Sequence, residues 1–188
     1  MNTRRPAAPG HVRIIGGRWR GTRLPVPELD GLRPSGDRMR ETLFNWLAPV
    51  LPGARVLDLF AGTGALGFEA VSRGAASAVL VERAPAAVEA LHASAGRLQG
   101  GDRVAVVAAD ALAWLPAQPA GTFDIAFVDP PFAGRLWDAA LPAVARVLAP
   151  EAWMYVEAPP EVDAIPAGWR LHRQLATRDA RARLLHRP

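Results

Sequence analysis

Apolar positions along this chain repeat with two different periods, and the order in which the periods alternate predicts the architecture. In HVRIIGGRWRGTRL (11–24), Val12 and Ile14 alternate with Arg13, Gly16-Gly17 reads as a turn and Trp19 follows, which predicts a hairpin. Residues 25–37, with prolines and glycines among acids, read as a loop. Met39, Leu43, Leu47 and Val50 then fall at i, i+4, i+8 and i+11. This predicts a helix over 37–50, with Asp37 as its N-cap and Arg38, Glu41 and Asn45 on another face.

From Ala54 onward strand and helix patterns take turns. RVLDLF (55–60), SAVLVE (77–82), VAVVAA (104–109), FDIAFV (123–128) and WMYVEA (153–158) are near-continuous apolar runs. Helical spacing separates them: around Leu66–Arg73, closed by Gly74; from Pro85 through Val88, Leu91, Ala95 and Leu98; and over Leu141, Val144 and Leu148. Repeated β–α–β units of this kind predict an α/β fold, a doubly wound, mostly parallel sheet covered on both faces. A small hairpin-and-helix extension precedes it, and a last hairpin is expected beyond Pro166. At 188 residues the chain is expected to form one domain over 11–188, with hairpin and loop at 11–36, helix at 37–50 and core at 54–188. A loose basic tail is expected at 1–10.

Composition narrows the function classes. The absence of cysteine excludes a disulfide scaffold, zinc fingers, iron–sulfur ligation and thiol nucleophiles. No apolar run approaches the ~20 residues that span a bilayer, and MNTRRPAAPG has no apolar segment behind its basic pair. The expectation is a cytoplasmic protein, monomeric, without membrane or metal. All 22 basic residues are arginine, and they are unevenly placed. Residues 1–40 carry nine against three acids, 41–169 seven against fourteen, and 170–188 six against one. Basic ends around an acidic centre point to termini that meet a polyanion.

In doubly wound sheets ligands bind beyond the carboxyl ends of the strands, near the reversal of strand order. Asp58, Glu82, Asp110 and Asp129 all stand at or near such ends. Any one of them could be a helix cap; four on successive strands form a rim. In DLFAGTGALG (58–67), Gly62, Gly64 and Gly67 match G-x-G-x-x-G, a spacing that on its own would suit a dinucleotide and an NAD-dependent oxidoreductase. A pyrophosphate, however, wants a helix N-terminus without a carboxylate beside it. Asp58 suits instead a ligand bearing an amino group and a sulfonium. Glu82 can accept from ribose hydroxyls, Asp110 from an exocyclic adenine amine, and Ala111 offers a backbone N–H. These demands describe S-adenosylmethionine better than NAD.

The most telling motif is Asp129-Pro130-Pro131-Phe132, directly after the fourth apolar run. Pro-Pro closes off helix and sheet hydrogen bonding and fixes the backbone. An amine on a base ring is a poor nucleophile, because its lone pair is delocalised. The Asp129 carboxylate and the Pro130 carbonyl can accept its two N–H bonds and direct the lone pair at a methyl group. Phe132 can stack on the base, a contact worth ~1–3 kcal/mol.

With these motifs the chain resembles the class I S-adenosylmethionine-dependent methyltransferases that modify exocyclic amines. More narrowly it resembles the RsmD family of 16S ribosomal RNA (guanine-N2) methyltransferases. RIIGGRWRG (13–21) and RPSGDRMRETLFNWL (33–47) carry the narrow likeness, DLFAGTGALG and DPPF the broad one. The resemblance implies methylation of a guanine N2 amine in 16S ribosomal RNA of an assembling small subunit, with S-adenosylmethionine as cofactor. By position Asp58, Gly62, Gly64, Glu82 and Asp110 would bind the cofactor, with Phe60, Arg83 and Ala111 beside them, and Asp129, Pro130, Pro131 and Phe132 would hold the guanine. The 33–47 segment would lie over the cofactor pocket. Arg13, Arg18, Trp19, Arg20, Arg23 and Arg38 would meet RNA, with Arg178, Arg181 and Arg183 adding charge at the other end. An adenine-N6 or other amine methyltransferase shares the D-P-P-aromatic chemistry and remains the nearest alternative.

Overall fold

Pleat alternation along the strands sorts the core into two layers, and that sorting decides which side chains reach the strand tips. The computed structural model describes residues 10–27 and 36–188. The tail expected at 1–10, Gly10 apart, and positions 28–35 of the expected loop lie outside them. A two-stranded antiparallel ladder comes first, β1 (His11–Arg13) with β2 (Arg23–Pro25). It is followed by α1 (Asp37–Leu47), β3 (Arg55–Asp58), α2 (Ala65–Ser72), β4 (Ser77–Glu82), α3 (Pro85–Arg97) and β5 (Val104–Ala108). Then come α4 (Ala111–Trp114), β6 (Phe123–Val128), α5 (Trp137–Val147), β7 (Leu148–Ala158), β8 (Arg170–Ala176) and β9 (Arg181–His186).

The main sheet has the order β5-β4-β3-β6-β7-β9-β8. Its first five strands run parallel, while β9 is antiparallel to both β7 and β8. Strand order therefore reverses between β3 and β6, and the crevice of such a sheet opens there. One face, lined by Val56, Leu80, Ile125, Phe127 and Tyr155, packs against α1, α2 and Leu91 of α3. The other, lined by Leu57, Val81, Ala126, Val128 and Val156, packs against α4 and α5. Each fully buried Leu, Val or Phe contributes on the order of 1.5–3 kcal/mol. Among the described residues no helix is long and apolar enough to cross a membrane.

The helix expected over 37–50 stops at Leu47, because Pro49 has no N–H to continue the ladder. Gly36, not Asp37, is its N-cap; Asp37 lies inside the first turn and accepts from Arg40 Nη2 at 2.7 Å. The first strand of the sheet ends at Asp58 rather than Phe60, since Leu59 N–H donates to Phe127 O (3.1 Å) and Ala61 N–H to Val81 O (3.0 Å), turning the chain over its neighbours. Leu148, expected in the last helix, opens β7 instead, paired with Phe123.

Gly16-Gly17 is not the tight turn of a hairpin. Residues 14–22 form a longer connection, and its glycines lie against the end of α2. Arg18 N–H donates to Ser72 O (2.8 Å), Trp19 N–H to Ser72 Oγ (2.9 Å), and Ser72 Oγ–H to Gly16 O (2.6 Å). A Cβ on Gly17, whose φ is +76°, would stand 1.9 Å from Ser72 O. Gly17→Ala is expected to cost about 2 kcal/mol or more by combining a left-handed φ with that collision. A lowered thermal midpoint, with Trp19 emission shifted to the red, is the expected result.

Candidate functional site

Three parallel strand tips and one turn supply the acidic rim. Asp58, the last residue of β3, is 3% exposed, and its Oδ2 accepts from Gly67 N–H at 3.0 Å. Among the described residues no cation forms an ion pair with it. Burial pushes its carboxyl up to about 7; the Gly67 hydrogen bond opposes the shift and the nearby Glu82 charge adds to it. A carboxylate so placed is short of positive charge, and a cationic ligand would supply it.

The turn after Asp58 is tied to β4. Glu82 Oε2 accepts from Gly62 N–H, and Oε1 from Arg83 and Ala84 N–H, all at 2.8 Å. The sequence reading makes Glu82 an acceptor for both ribose hydroxyls. Much of its carboxylate is spent on backbone, and Oε2 keeps the larger free acceptor capacity. Gly64, at φ +75°, opens α2, and a Cβ there would strike Leu91 and Phe68 at 2.5–2.7 Å. The helix start thus sits as close to the sheet as a backbone can. Phe60 is half-buried at the head of this turn.

Asp110 caps α4, its Oδ1 accepting from Leu112 N–H (3.0 Å) and Ala113 N–H (3.1 Å), while Oδ2 lies 3.9 Å from Arg83 Nη1. Ala111 is buried behind it. Between the β4 and β5 tips a cavity of about 340 Å³ is lined by Arg83, Pro85, Val88, Glu89, Ala108, Ala109 and Asp110. Its apolar lining is interrupted by Arg83, Glu89 and Asp110, and Arg83 follows Glu82 in the chain. S-adenosylmethionine fits this setting: an uncompensated buried carboxylate for its cationic end, a glycine cradle too tight for any Cβ, and a slot for a purine.

Asp129 follows β6 directly, with Pro130 buried and Pro131 exposed. Phe132 is 37% exposed, its ring 5.7 Å from that of buried Trp137, whose Nε1–H donates to Glu157 O at 2.9 Å. The D-P-P-F corner is thereby braced from β7. Asp58 pairs with Phe127, two residues before Asp129, so the two carboxylates stand on the strands that flank the crevice.

Sequence reasoning missed two features. Glu157 also sits at a strand tip, beside Asp129 in the β6/β7 register, and accepts from Tyr155 O–H at 3.0 Å. The signal was present, an acid one residue before the end of the apolar run WMYVEA. The second is Arg40, wholly buried. Its Nη2–H groups donate to Arg13 O (2.9 Å) and Asp37 Oδ1 (2.7 Å), and Nη1 lies 3.9 Å from Glu69 Oε2, while Nε and Nη1 have no hydrogen-bond partner. Glu69, equally buried, accepts from Ile15 N–H, Gly16 N–H and Arg73 Nε–H, each at 2.7 Å. This charge cluster clamps the N-terminal ladder and α1 onto α2.

Of the residues expected to meet RNA, Arg13, Arg18, Arg20, Arg23 and Arg38 are exposed, as are Glu41 and Asn45. Trp19 is not: it is 5% exposed, edge-on to Phe68 with centroids 6.3 Å apart, and its Nε1–H donates to Gln99 O at 3.0 Å. An indole with its polar edge satisfied inside the core cannot stack on a base, so Trp19 leaves the expected interface. Arg183 leaves it too, buried at 4% with Nη1–H donating to Val162 O at 3.2 Å.

The sheet order, its inserted antiparallel β9 and the glycine turn under an acidic rim define a Rossmann-like class I methyltransferase. Within that class the chain belongs to the family described as Conserved hypothetical protein 95, whose model matches residues 12–185; this is the RsmD family of the motifs above. It is 46% identical over 182 residues to ribosomal RNA small subunit methyltransferase D of Escherichia coli K12, covering 95% of this chain and 91% of that protein. The Haemophilus influenzae protein of the same name is 40% identical over 178 residues, 92% of each. The solved structure of E. coli yhhF superimposes with a TM-score of 0.85 at 47% identity, covering 95% of this chain and 98% of that one.

Proposed function

We propose that this protein transfers a methyl group from S-adenosylmethionine to the N2 amine of a guanine in small-subunit ribosomal RNA. The observation that carries the reading is the placement of Asp129 one residue beyond β6, across the crevice from the buried, cation-seeking Asp58 of β3. The relatives' shared name, ribosomal RNA small subunit methyltransferase D, supplies the RNA.

S-adenosylmethionine, when bound, supplies a methyl group made electrophilic by its sulfonium. The chain's own part is positional. Asp58, Gly62 and Gly64 would hold the cationic end, Glu82 would accept from the ribose hydroxyls, and Phe60, Arg83, Asp110 and Ala111 would border the purine. Asp129 and the Pro130 carbonyl accept the amine's two N–H bonds, so that the lone pair faces the methyl group, and Phe132 offers its open face to the base. Fixing two reactants in this way supplies much of the acceleration, with no covalent step on the protein. Arg13, Arg18, Arg20, Arg23, Arg38 and Arg178 are exposed and would be available to RNA phosphates.

Asp129→Ala is expected to lower methyl transfer to small-subunit particles by about a thousandfold, as loss of an aligned acceptor at a reacting centre does. Its affinity for S-adenosylmethionine, measured by calorimetry, is expected to stay within about threefold of the parent. Undiminished transfer would remove Asp129 from the chemistry, and label recovered in protein or DNA would remove the RNA.

A further inference from the structure

We infer that a cavity between the N-terminal ladder and the far end of α3 is a binding site for backbone phosphate of the substrate RNA, with Arg23 and Arg97 as its cationic walls. The inference rests on the ribosomal RNA substrate proposed above and adds to it a contact well away from the reacting base.

The cavity, of about 340 Å³, is lined by Thr22, Arg23, Leu24, Ser94, Arg97 and Leu98. Its walls are fixed by the core. Leu24 is fully buried and Ser94 is 2% exposed, while Trp19 ties the ladder connection to the end of α3 through Nε1–H to Gln99 O at 3.0 Å. Arg97 is held to its own helix, with Nε–H donating to Ala93 O at 3.2 Å and Nη2–H to Ser94 Oγ at 3.4 Å. That uses two of the five N–H bonds of a guanidinium and leaves three. Among the described residues neither Arg23 nor Arg97 forms an ion pair.

A cation in the last turn of a helix offsets the dipole there, which accounts for Arg97 alone. It does not account for a second arginine on the facing strand β2. Two cations at one cavity repel each other unless an anion joins them, and no carboxylate lines this cavity. The cavity between the β4 and β5 tips differs, mixing Arg83 with Glu89 and Asp110. A third cation stands near: a Cβ on Gly100 would come within 3.3 Å of Arg18 Nη1, so Arg18 reaches the turn that follows α3. The hydroxyls of Thr22 and Ser94 complete a lining suited to phosphate oxygens.

Position sets what such a phosphate can do. α3 leaves the tip of β4 and runs back to the start of β5, so the cavity lies at the end of the sheet opposite the crevice. Thirteen residues of helix at a rise of 1.5 Å put it about 20 Å from the strand tips. A phosphate held there belongs to a stretch of RNA other than the target nucleotide. It carries no base information; it fixes how the RNA lies on the protein and adds affinity.

Methylation of small-subunit particles lacking the modification, followed at several salt concentrations, tests the site. Arg97→Gln is expected to raise KM about fivefold at low salt and to flatten the slope of log KM against log salt by about 0.7–0.9, the share of one phosphate contact. Adding Arg23→Gln should flatten it by about as much again. Arg97→Lys keeps the charge and should stay within about twofold of the parent. In Arg97→Gln, kcat at saturating particles and affinity for S-adenosylmethionine are expected to match the parent. A raised KM with the parent's salt slope would mean that the substitution only loosens the ladder, and a parental KM would leave the cavity without RNA; either overturns the inference. So does inorganic phosphate that raises the thermal midpoint of the parent but not of Arg97→Gln while both bind particles equally, since the cavity would then take a small anion instead. A parent protein whose labelled methyl group enters no ribosomal RNA would refute the proposed function, a result read before any variant is compared.

Discussion

Replacing Asp58 with asparagine is expected to strengthen the empty protein while weakening its hold on cofactor. The carboxyl of Asp58 moves from an ordinary 3.8 to about 7 because it is buried. A group whose folded pKa is raised stabilises the fold fully below its unfolded pKa and loses that contribution as pH rises through the folded value. The relevant window therefore runs from about pH 4 to about pH 7, and roughly 4 kcal/mol of stability is lost across it. Asparagine does not titrate, and its amide oxygen can still accept from Gly67 N–H. At pH 8 the Asp58→Asn protein is expected to melt roughly 10 °C above the parent, a gap that closes toward pH 4. Urea titrations of both proteins between pH 4 and pH 8 measure this; superimposable pH profiles would show that Asp58 ionises without penalty. Cofactor behaves in the opposite sense. A cationic ligand favours the ionised carboxylate, so affinity in the parent should rise with pH up to about 7, with proton release below it. Asp58→Asn should lose about a hundredfold in affinity and all of that pH dependence.

The second large effect concerns the buried cluster around Glu69. Glu69→Ala removes the acceptor of three donors and leaves Arg40, wholly buried and already short of two hydrogen bonds, beside no carboxylate of α2. Breaking one side of such a buried pair costs about 3–5 kcal/mol, whereas replacing both members by apolar residues of similar volume is often neutral. Glu69→Met with Arg40→Met is therefore expected to recover most of what Glu69→Ala loses, read as urea midpoints at unchanged m-value. A double variant no better than the single one would mean that Glu69 acts by accepting from the Ile15 and Gly16 N–H groups and not through the ion pair. In Glu69→Ala the segment carrying Arg13, Arg18, Arg20 and Arg23 should also become the first site of limited proteolysis, because Ile15 and Gly16 lose their anchor.

These two centres were legible in the sequence to different degrees, for a physical reason. The parallel strands announced themselves because both their faces are buried, which leaves SAVLVE and FDIAFV apolar without alternation. Asp58 and Asp129 stood out as charges interrupting or closing such runs. Glu157 closes one as well, but β7 is 11 residues long and irregular near its start, so its tip was harder to place. Arg40 was counted among the basic residues of the N-terminal third. Its spacing of three, four and seven to Leu43, Phe44 and Leu47 put it on the buried stripe, yet helical periodicity cannot tell that a guanidinium there has a carboxylate waiting. Gly16-Gly17 misled for a related reason. Glycine pairs mark turns and close approaches alike, and only the tertiary partner, Ser72, distinguishes them.

The acidic floor of the crevice also works as a filter. Asp58, Glu82, Asp129 and Glu157 stand at the ends of neighbouring strands, a run of acids that disfavours phosphodiester. Under the proposed function the uncharged heterocycle alone would enter this crevice, everted from its stack, with the sugar–phosphate left outside.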